Sequence, residues 1–262
     1  MDVTRQETYG ALNRVPEVKV DFWLIKLMAV TMGETAADYL AVNLGLGLSA
    51  TSLIMSTVLI LALALQFRQR QYVPWVYWTA VVLISIVGTL VTDNLVDNFH
   101  VPLEVTTIVF TLALIATFAV WYAYEKTLSI HSIFTTRREA FYWLAILFTF
   151  ALGTAAGDLV AEKFGLGFAA TGLIFGAIIA LVAVGYFVFH LNAVVAFWLA
   201  YIFTRPLGAS FGDFLSQPTE YGGLGFGTII TSLIFLGCII AIVVYMTVMF
   251  RSGNRKAASQ AA

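Results

Sequence analysis

Ionised side chains are scarce in this chain of 262 residues: 11% are Asp, Glu, Lys or Arg, 60% are hydrophobic and the mean hydropathy is +0.90. A water-soluble domain carries roughly 25% charged residues, so this composition excludes a soluble surface and predicts an integral membrane protein. Net basic charge is also missing, with Lys+Arg 14 against Asp+Glu 15, which excludes a nucleic-acid binder held by phosphate attraction. The single cysteine, Cys238, excludes an intramolecular disulfide and any Cys-based metal cluster. No P-loop, nucleophile elbow or HExxH motif occurs. The first twenty residues, MDVTRQETYGALNRVPEVKV, lack a short apolar core followed by a small-residue cleavage site, so a cleavable signal is not expected.

Long apolar runs fill the rest. A bilayer-spanning helix needs about 20 mostly apolar residues, and eight such stretches lie near 21–42, 48–67, 74–96, 103–125, 140–162, 168–190, 193–215 and 226–250. Runs such as VLILALALQF lack the alternation of a transmembrane β-strand, so the predicted fold is all-α. Lys and Arg set the expected orientation. The side holding both termini carries Arg5, Arg14, Lys19, Arg68, Arg70, Lys126, Arg137, Arg138, Arg251, Arg255 and Lys256, the opposite side Lys163 alone, with Lys26 and Arg205 inside spans. Both termini are therefore expected in the cytoplasm, with the chain in a bacterial inner membrane. The acids divide the other way, giving an acidic outer mouth.

The chain also repeats itself. GETAAD (33–38), GTLVTD (88–93), GTAAGD (153–158) and GASFGD (208–213) each read Gly-x4-Asp, with Trp23, Trp78, Trp143 or Trp198 ten residues before the Gly. Thr51, Thr106 and Thr171 follow three of the Asp residues by thirteen; the fourth unit reaches Thr231 after a five-residue insertion. Gly45/Gly47, Gly165/Gly167 and Gly225/Gly227 mark the outer loops of units one, three and four. The unit is a helical hairpin used four times. Each unit holds two spans, so all four enter the membrane in one orientation, as parallel repeats about an axis along the membrane normal. The expected organisation is an N-terminal segment 1–20, a first half 21–130, a second half 131–250 and a C-terminal tail 251–262. On these repeats, over roughly 21–250, the chain resembles a bacterial multi-pass membrane-protein family known only as a repeat of unknown function. The resemblance implies the architecture and no activity.

Fifteen residues separate each Trp from its Asp, about 22 Å of helix in a hydrocarbon layer about 30 Å thick. A carboxylate at that depth costs on the order of 2.5–3.5 kcal/mol, so Asp38, Asp93, Asp158 and Asp213 are expected to face a shared interior. Glu34, Asp97 and Glu162 stand four residues from three of them, on the same helix face; Gln217 takes that place in the fourth unit. Paired carboxylates in an apolar site need a cation or a proton between them, and oxygen-rich clusters suit a hard cation. Thr35, Thr89, Thr92, Thr154, Asn94 and His100 would add donors, His100 as a weak metal ligand. The bland alternative makes the aspartates caps or hairpin joints, and the Gly residues packing devices.

Arg205, followed by the helix-kinking Pro206, stands where the other units have Val30, Ser85 and Phe150. It reads either as counter-ion to the acidic cluster, releasing or replacing a bound cation, or as a packing salt bridge. Lys26 is expected to snorkel to the surface, and the four Trp to form an interfacial belt. Glu104 after Pro102 reads as a first-turn cap.

Together these features predict a transporter of a small cation, a divalent metal ion first, with proton or sodium coupling next. Asp38, Asp93, Asp158 and Asp213 would form the metal site, and Arg205 with Pro206 the gate. The expected partners are the lipid bilayer and that cation, with homo-oligomerisation open and no covalent cofactor. A cation channel with an acidic ring is the near alternative. A structural or assembly protein glued by buried acids is another. An intramembrane aspartyl hydrolase is disfavoured, because Ala155-Ala156-Gly157-Asp158 and Ser210-Phe211-Gly212-Asp213 lack its Gly-x-Gly-Asp; an enzyme is not expected.

Overall fold

The structure, a computed structural model, describes residues 13–261; Arg5, and with it most of the expected 1–20 segment, lies outside the described residues. Those residues form eight α-helices and no strand. They are α1 (Val20–Asp38), α2 (Leu48–Phe67), α3 (Pro74–Asp93), α4 (Leu103–Glu125), α5 (Thr136–Asp158), α6 (Gly167–Phe187), α7 (Ala193–Ser216) and α8 (Thr228–Ala261). Local chemistry sets their ends. Pro74 opens α3, where a missing N–H costs no helix bond. Thr135 and Asn192 accept backbone N–H groups at the starts of α5 and α7. The glycine pairs between hairpin arms hold φ of +70° to +78°, a left-handed backbone that other residues adopt only with strain.

Seven of the eight helices are long and apolar enough to cross a membrane. The exception is α1, which carries Asp21, Lys26, Glu34 and Asp38.

The first helices of the four units, α1, α3, α5 and α7, pack side by side in a closed inner ring. The second helices form the periphery, and each leans on the first helix of the next unit: α2 on α3, α4 on α5, α6 on α7, and α8 back on α1. The end carrying Asn13 and Phe250, here the terminal end, is tied together by chain crossings. Arg14 N–H donates to Ile133 O, Tyr72 N–H donates to Asn13 O, and buried Glu139 accepts from Arg14 at 2.6 Å and from Gln66 at 2.8 Å.

The ring closes through the repeated glycines. A Cβ on Gly33 would stand 2.1 Å from Ser85 Oγ, on Gly88 2.7 Å from Phe150 Cβ, on Gly153 2.2 Å from Arg205 Cγ, and on Gly208 2.5 Å from Val30 Cγ1. Each glycine thus receives the side chain three positions before the corresponding glycine of its ring neighbour, and the fourth unit closes onto the first by the same rule. Small residues at these crossings let the helices approach closely.

Two sequence expectations fail here. The repeat tryptophans do not form an interfacial belt: Trp78, Trp143 and Trp198 are buried in an aromatic cluster with Phe22, Tyr77, Tyr142, Phe197 and Tyr201. Indole N–H groups are satisfied inside the protein, Trp78 donating to Tyr72 Oη and Trp198 to Leu128 O. Lys26 does not snorkel either. It is fully buried and donates to Tyr201 O at 2.7 Å.

Gly88→Ala is expected to destabilise the chain by about 1–3 kcal/mol through overpacking. Gly45→Ala, whose Cβ meets nothing within 4 Å, should lose only about 1–2 kcal/mol, from its left-handed φ. Unfolding of the purified variants in detergent measures both. Only the Gly88 loss should shrink when Phe150 is also cut to Gly, which removes the Cβ that the new methyl group meets.

Candidate functional site

Stepping by four residues along each inner helix, from the residue before the repeat Trp, gives one axial stripe per unit. From the terminal end the layers are Phe22/Tyr77/Tyr142/Phe197, Lys26/Val81/Ile146/Tyr201, Val30/Ser85/Phe150/Arg205, Glu34/Thr89/Thr154/Ala209, Asp38/Asp93/Asp158/Asp213 and Val42/Asp97/Glu162/Gln217. Four residues on a 3.6-residue helix are slightly more than one turn, so neighbouring layers share a face while the stripe winds slowly around the helix from end to end. The stripe runs from aromatic through cationic to carboxylate.

Exposure follows the same direction. The second and third layers are fully buried, Glu34 is 5% exposed, Asp38, Asp93 and Asp158 are partly exposed, and Asp97 and Glu162 are open. The ring is sealed toward the terminal end and loosens toward the acidic far end, here the vestibule, with Asp213 alone of the four aspartates buried.

Arg205 forms its floor. Its Nη2 donates to Glu34 Oε2 at 2.8 Å, to Thr154 Oγ1 at 2.7 Å and to Thr89 Oγ1, and Thr89 Oγ1 itself donates to Glu34 Oε2 at 3.1 Å. One side chain of the fourth unit therefore engages the equivalent position of each of the other three, and Ala209 leaves it space. Taking both charges out of water costs several kcal/mol per ion, repaid only by close pairing and added hydrogen bonds. Here the pairing is incomplete, since Arg205 Nε and Nη1 are buried without a hydrogen-bond partner.

Below the floor a second cation is buried. Lys26 Nζ lies 4.0 Å from the Tyr201 ring centroid and 5.8 Å from that of Phe150, while Arg205 Cζ lies 5.7 Å from the Phe150 ring. Aromatic faces attract cations, so Phe150 serves both. Tyr77 and Tyr142 hydroxyls meet at 2.5 Å.

Above the floor the carboxylates gather. All four aspartates lie within electrostatic reach of Glu34; Asp93, Asp158 and Asp213 also feel Asp38, and Asp38 feels Asp97 and Glu162. Asp38 Oδ2 accepts from Gln217 Nε2 at 3.4 Å, across the seam between units one and four. After Asp38, Asp93 and Asp158 the helix loosens into a π turn, at Tyr39–Asn43, Asn94–Asn98 and Leu159–Lys163; such turns recur at functional sites. Among the described residues, no three His, Cys, Asp or Glu side chains converge closely enough to hold a metal ion.

Several sequence-selected donors lie elsewhere. Thr35 bonds Ser232 of α8 at 2.7 Å, Thr92 donates to Ala151 O, and Asn94 donates to Leu48 O and Ser52 Oγ. These three join helices. His100 is exposed in the loop before α4, away from the vestibule floor, and Glu104 meets Lys163 at 3.4 Å on the surface. Pro206 packs on Gly153 and Gly157 of α5, so the gate residues sit at an inter-unit joint. The roles of Thr89 and Thr154 as Arg205 acceptors, and the tyrosine layers, went unread in the sequence, although the four-residue stripe contains them.

Glu34→Ala leaves Arg205 buried without a carboxylate, for an expected loss of about 3–5 kcal/mol. Glu34→Ala combined with Arg205→Met should recover most of it, as read by thermal unfolding in detergent.

Four segments of the chain, 22–72, 76–127, 141–191 and 196–252, match the model of a family described as Repeat of Unknown Function (DUF347). No curated protein and no solved structure matches the chain.

Proposed function

The chain belongs to that four-repeat family, and from this premise we propose a multi-pass transporter of a small cation. The observation that carries the reading is the layer of four aspartates, three partly exposed and Asp213 buried, one helical turn beyond a buried Arg205–Glu34 pair. Eight spans are proposed, α1 included, because its charged residues face the ring or lie at its ends. Its neighbour α8 covers it on the other side. The excess of Lys and Arg at the terminal end supports a reading in which both termini are cytoplasmic and the membrane is a bacterial inner membrane; the vestibule would then face outward.

Acidic walls with low-dielectric surroundings concentrate cations at the mouth. Carboxylates at this depth stabilise a partly dehydrated cation that bare hydrocarbon would reject. Arg205 occupies the next position on the axis and neutralises Glu34. It acts as a tethered cation: an incoming ion gains Glu34 as a ligand only when the guanidinium moves aside. Pro206, which removes a backbone hydrogen bond inside α7, and the glycine joint at Gly153 would put a hinge next to that guanidinium, and rocking of parallel repeats would then expose the site to the other side. Divalent ligation needs several oxygens at one point. The lack of a three-ligand cluster among the described residues therefore favours a monovalent ion or proton over the divalent metal.

Single Asp→Asn changes at positions 38, 93, 158 and 213 should leave the protein folded. Each should lower cation flux into proteoliposomes by about tenfold or more, the equivalent of about 1.4 kcal/mol of lost stabilisation. Full flux in all four variants would sink the transport reading and leave the acids as helix glue. A linear, unsaturable flux in the wild type would indicate a channel instead.

A further inference from the structure

A cavity of about 600 Å³ opens on the side of the bundle, in its terminal-end half, at the seam between α7 and α1. This is the one ring seam whose two inner helices are not successive in the chain, since α8 crosses back to α1 to close it. Leu27 of α1, Val182 and Ala183 of α6, and Ala200, Thr204 and Leu207 of α7 line it, and Ser129 and His131 stand at its terminal-end mouth. Along α7 the lining runs from Ala193 to Leu207, about 21 Å of helix. That exceeds half of a hydrocarbon layer about 30 Å thick, so an acyl chain rooted at the interface can lie along the whole groove.

We propose that this groove is a specific site for one anionic phospholipid, its acyl chain against α7 and its headgroup at the 126–131 loop. The proposal rests on the membrane placement given above and is independent of what is transported. Two features select this occupant. The groove is apolar along its length apart from Thr204, whose hydroxyl donates to Ala200 O, and its other polar lining lies at the end nearest the termini, which is the distribution of an amphiphile. That mouth also carries basic groups: His131 lines it, and Lys126 on the same loop and His190, three residues before the lining Ala193, are exposed; of the acids on these segments, Glu17 is paired with Lys19 at 2.6 Å and Glu125 with Arg137 and Arg138. Pockets of 300–1,000 Å³ suit drug-sized ligands, and a single acyl chain falls in that range. Thr204 and Leu207 line the groove while Tyr201 and Arg205 face the axis, so the lipid would lie against the back of the helix that carries the vestibule floor.

The test uses the full chain reconstituted in vesicles of phosphatidylglycerol and phosphatidylcholine in equal parts, re-extracted in mild detergent and analysed by native mass spectrometry. Wild type should retain one phospholipid, phosphatidylglycerol enriched roughly fivefold over the bulk. Ala183→Trp and Ala200→Trp, which fill the groove from partly exposed positions, should lose it. Lys126→Gln, an exposed change that keeps the fold, should retain a lipid but abolish the enrichment. Equal retention in wild type and Trp variants, absence of headgroup preference, or a wild-type dimer that the Trp variants convert to monomer would each overturn the proposal.

Discussion

Arg205 meets Glu34 on the axis of a ring of helices, between an aromatic end and a carboxylate end, and most of the geometry serves that meeting. The guanidinium reaches the axis because Gly153 gives it room, and it is held there by one acceptor from each other unit. The pair needs this arrangement, since separated charges at such depth would each demand several kcal/mol of solvation. The glycine joints, the threonines of the same layer and the alanine at position 209 are all sized around one long cation. Fourfold repetition supplies four equivalent positions, and the function proposed depends on one of them being different.

The distribution of polarity along the axis is the second constraint. Aromatic rings fill the terminal end, where tyrosine and tryptophan can satisfy their polar atoms against one another and against loop carbonyls. Carboxylates occupy the far end, where water reaches them. Two buried basic side chains lie between, Lys26 Nζ 5.8 Å and Arg205 Cζ 5.7 Å from the Phe150 ring centroid. A gradient of this kind gives the axis a direction without any asymmetry in the order of the ring helices.

The unit length, the helical class and the register of the aspartates were legible because intramembrane charge is rare and therefore conspicuous when it recurs. The azimuth of each helix was not. Trp at the head of an apolar span satisfies an interfacial belt and a buried aromatic cluster equally well, and hydropathy counts depth without asking which way a side chain faces. Lys26 failed for the same reason: three residues past Trp23 is shallow on a lipid-facing helix, but on the ring axis the same position is enclosed by Tyr201 and Phe150. Thr35, Thr92 and Asn94 sit close to the acids in sequence and one face away in space. Aligning the units on every fourth residue would have separated the two sets.

Each peripheral helix rests on a neighbouring unit and hardly on the partner to which its own loop connects it. The hairpin is therefore a covalent unit without being a folding unit, and cutting the chain at its midpoint would leave α4 without α5 and α1 without α8. Two copies of one half could supply those missing contacts to each other in the manner of an exchanged arm. The full-length chain is, in this sense, a swapped dimer whose two members have been joined, and the join is what allowed a single arginine to be placed on one side of the axis alone.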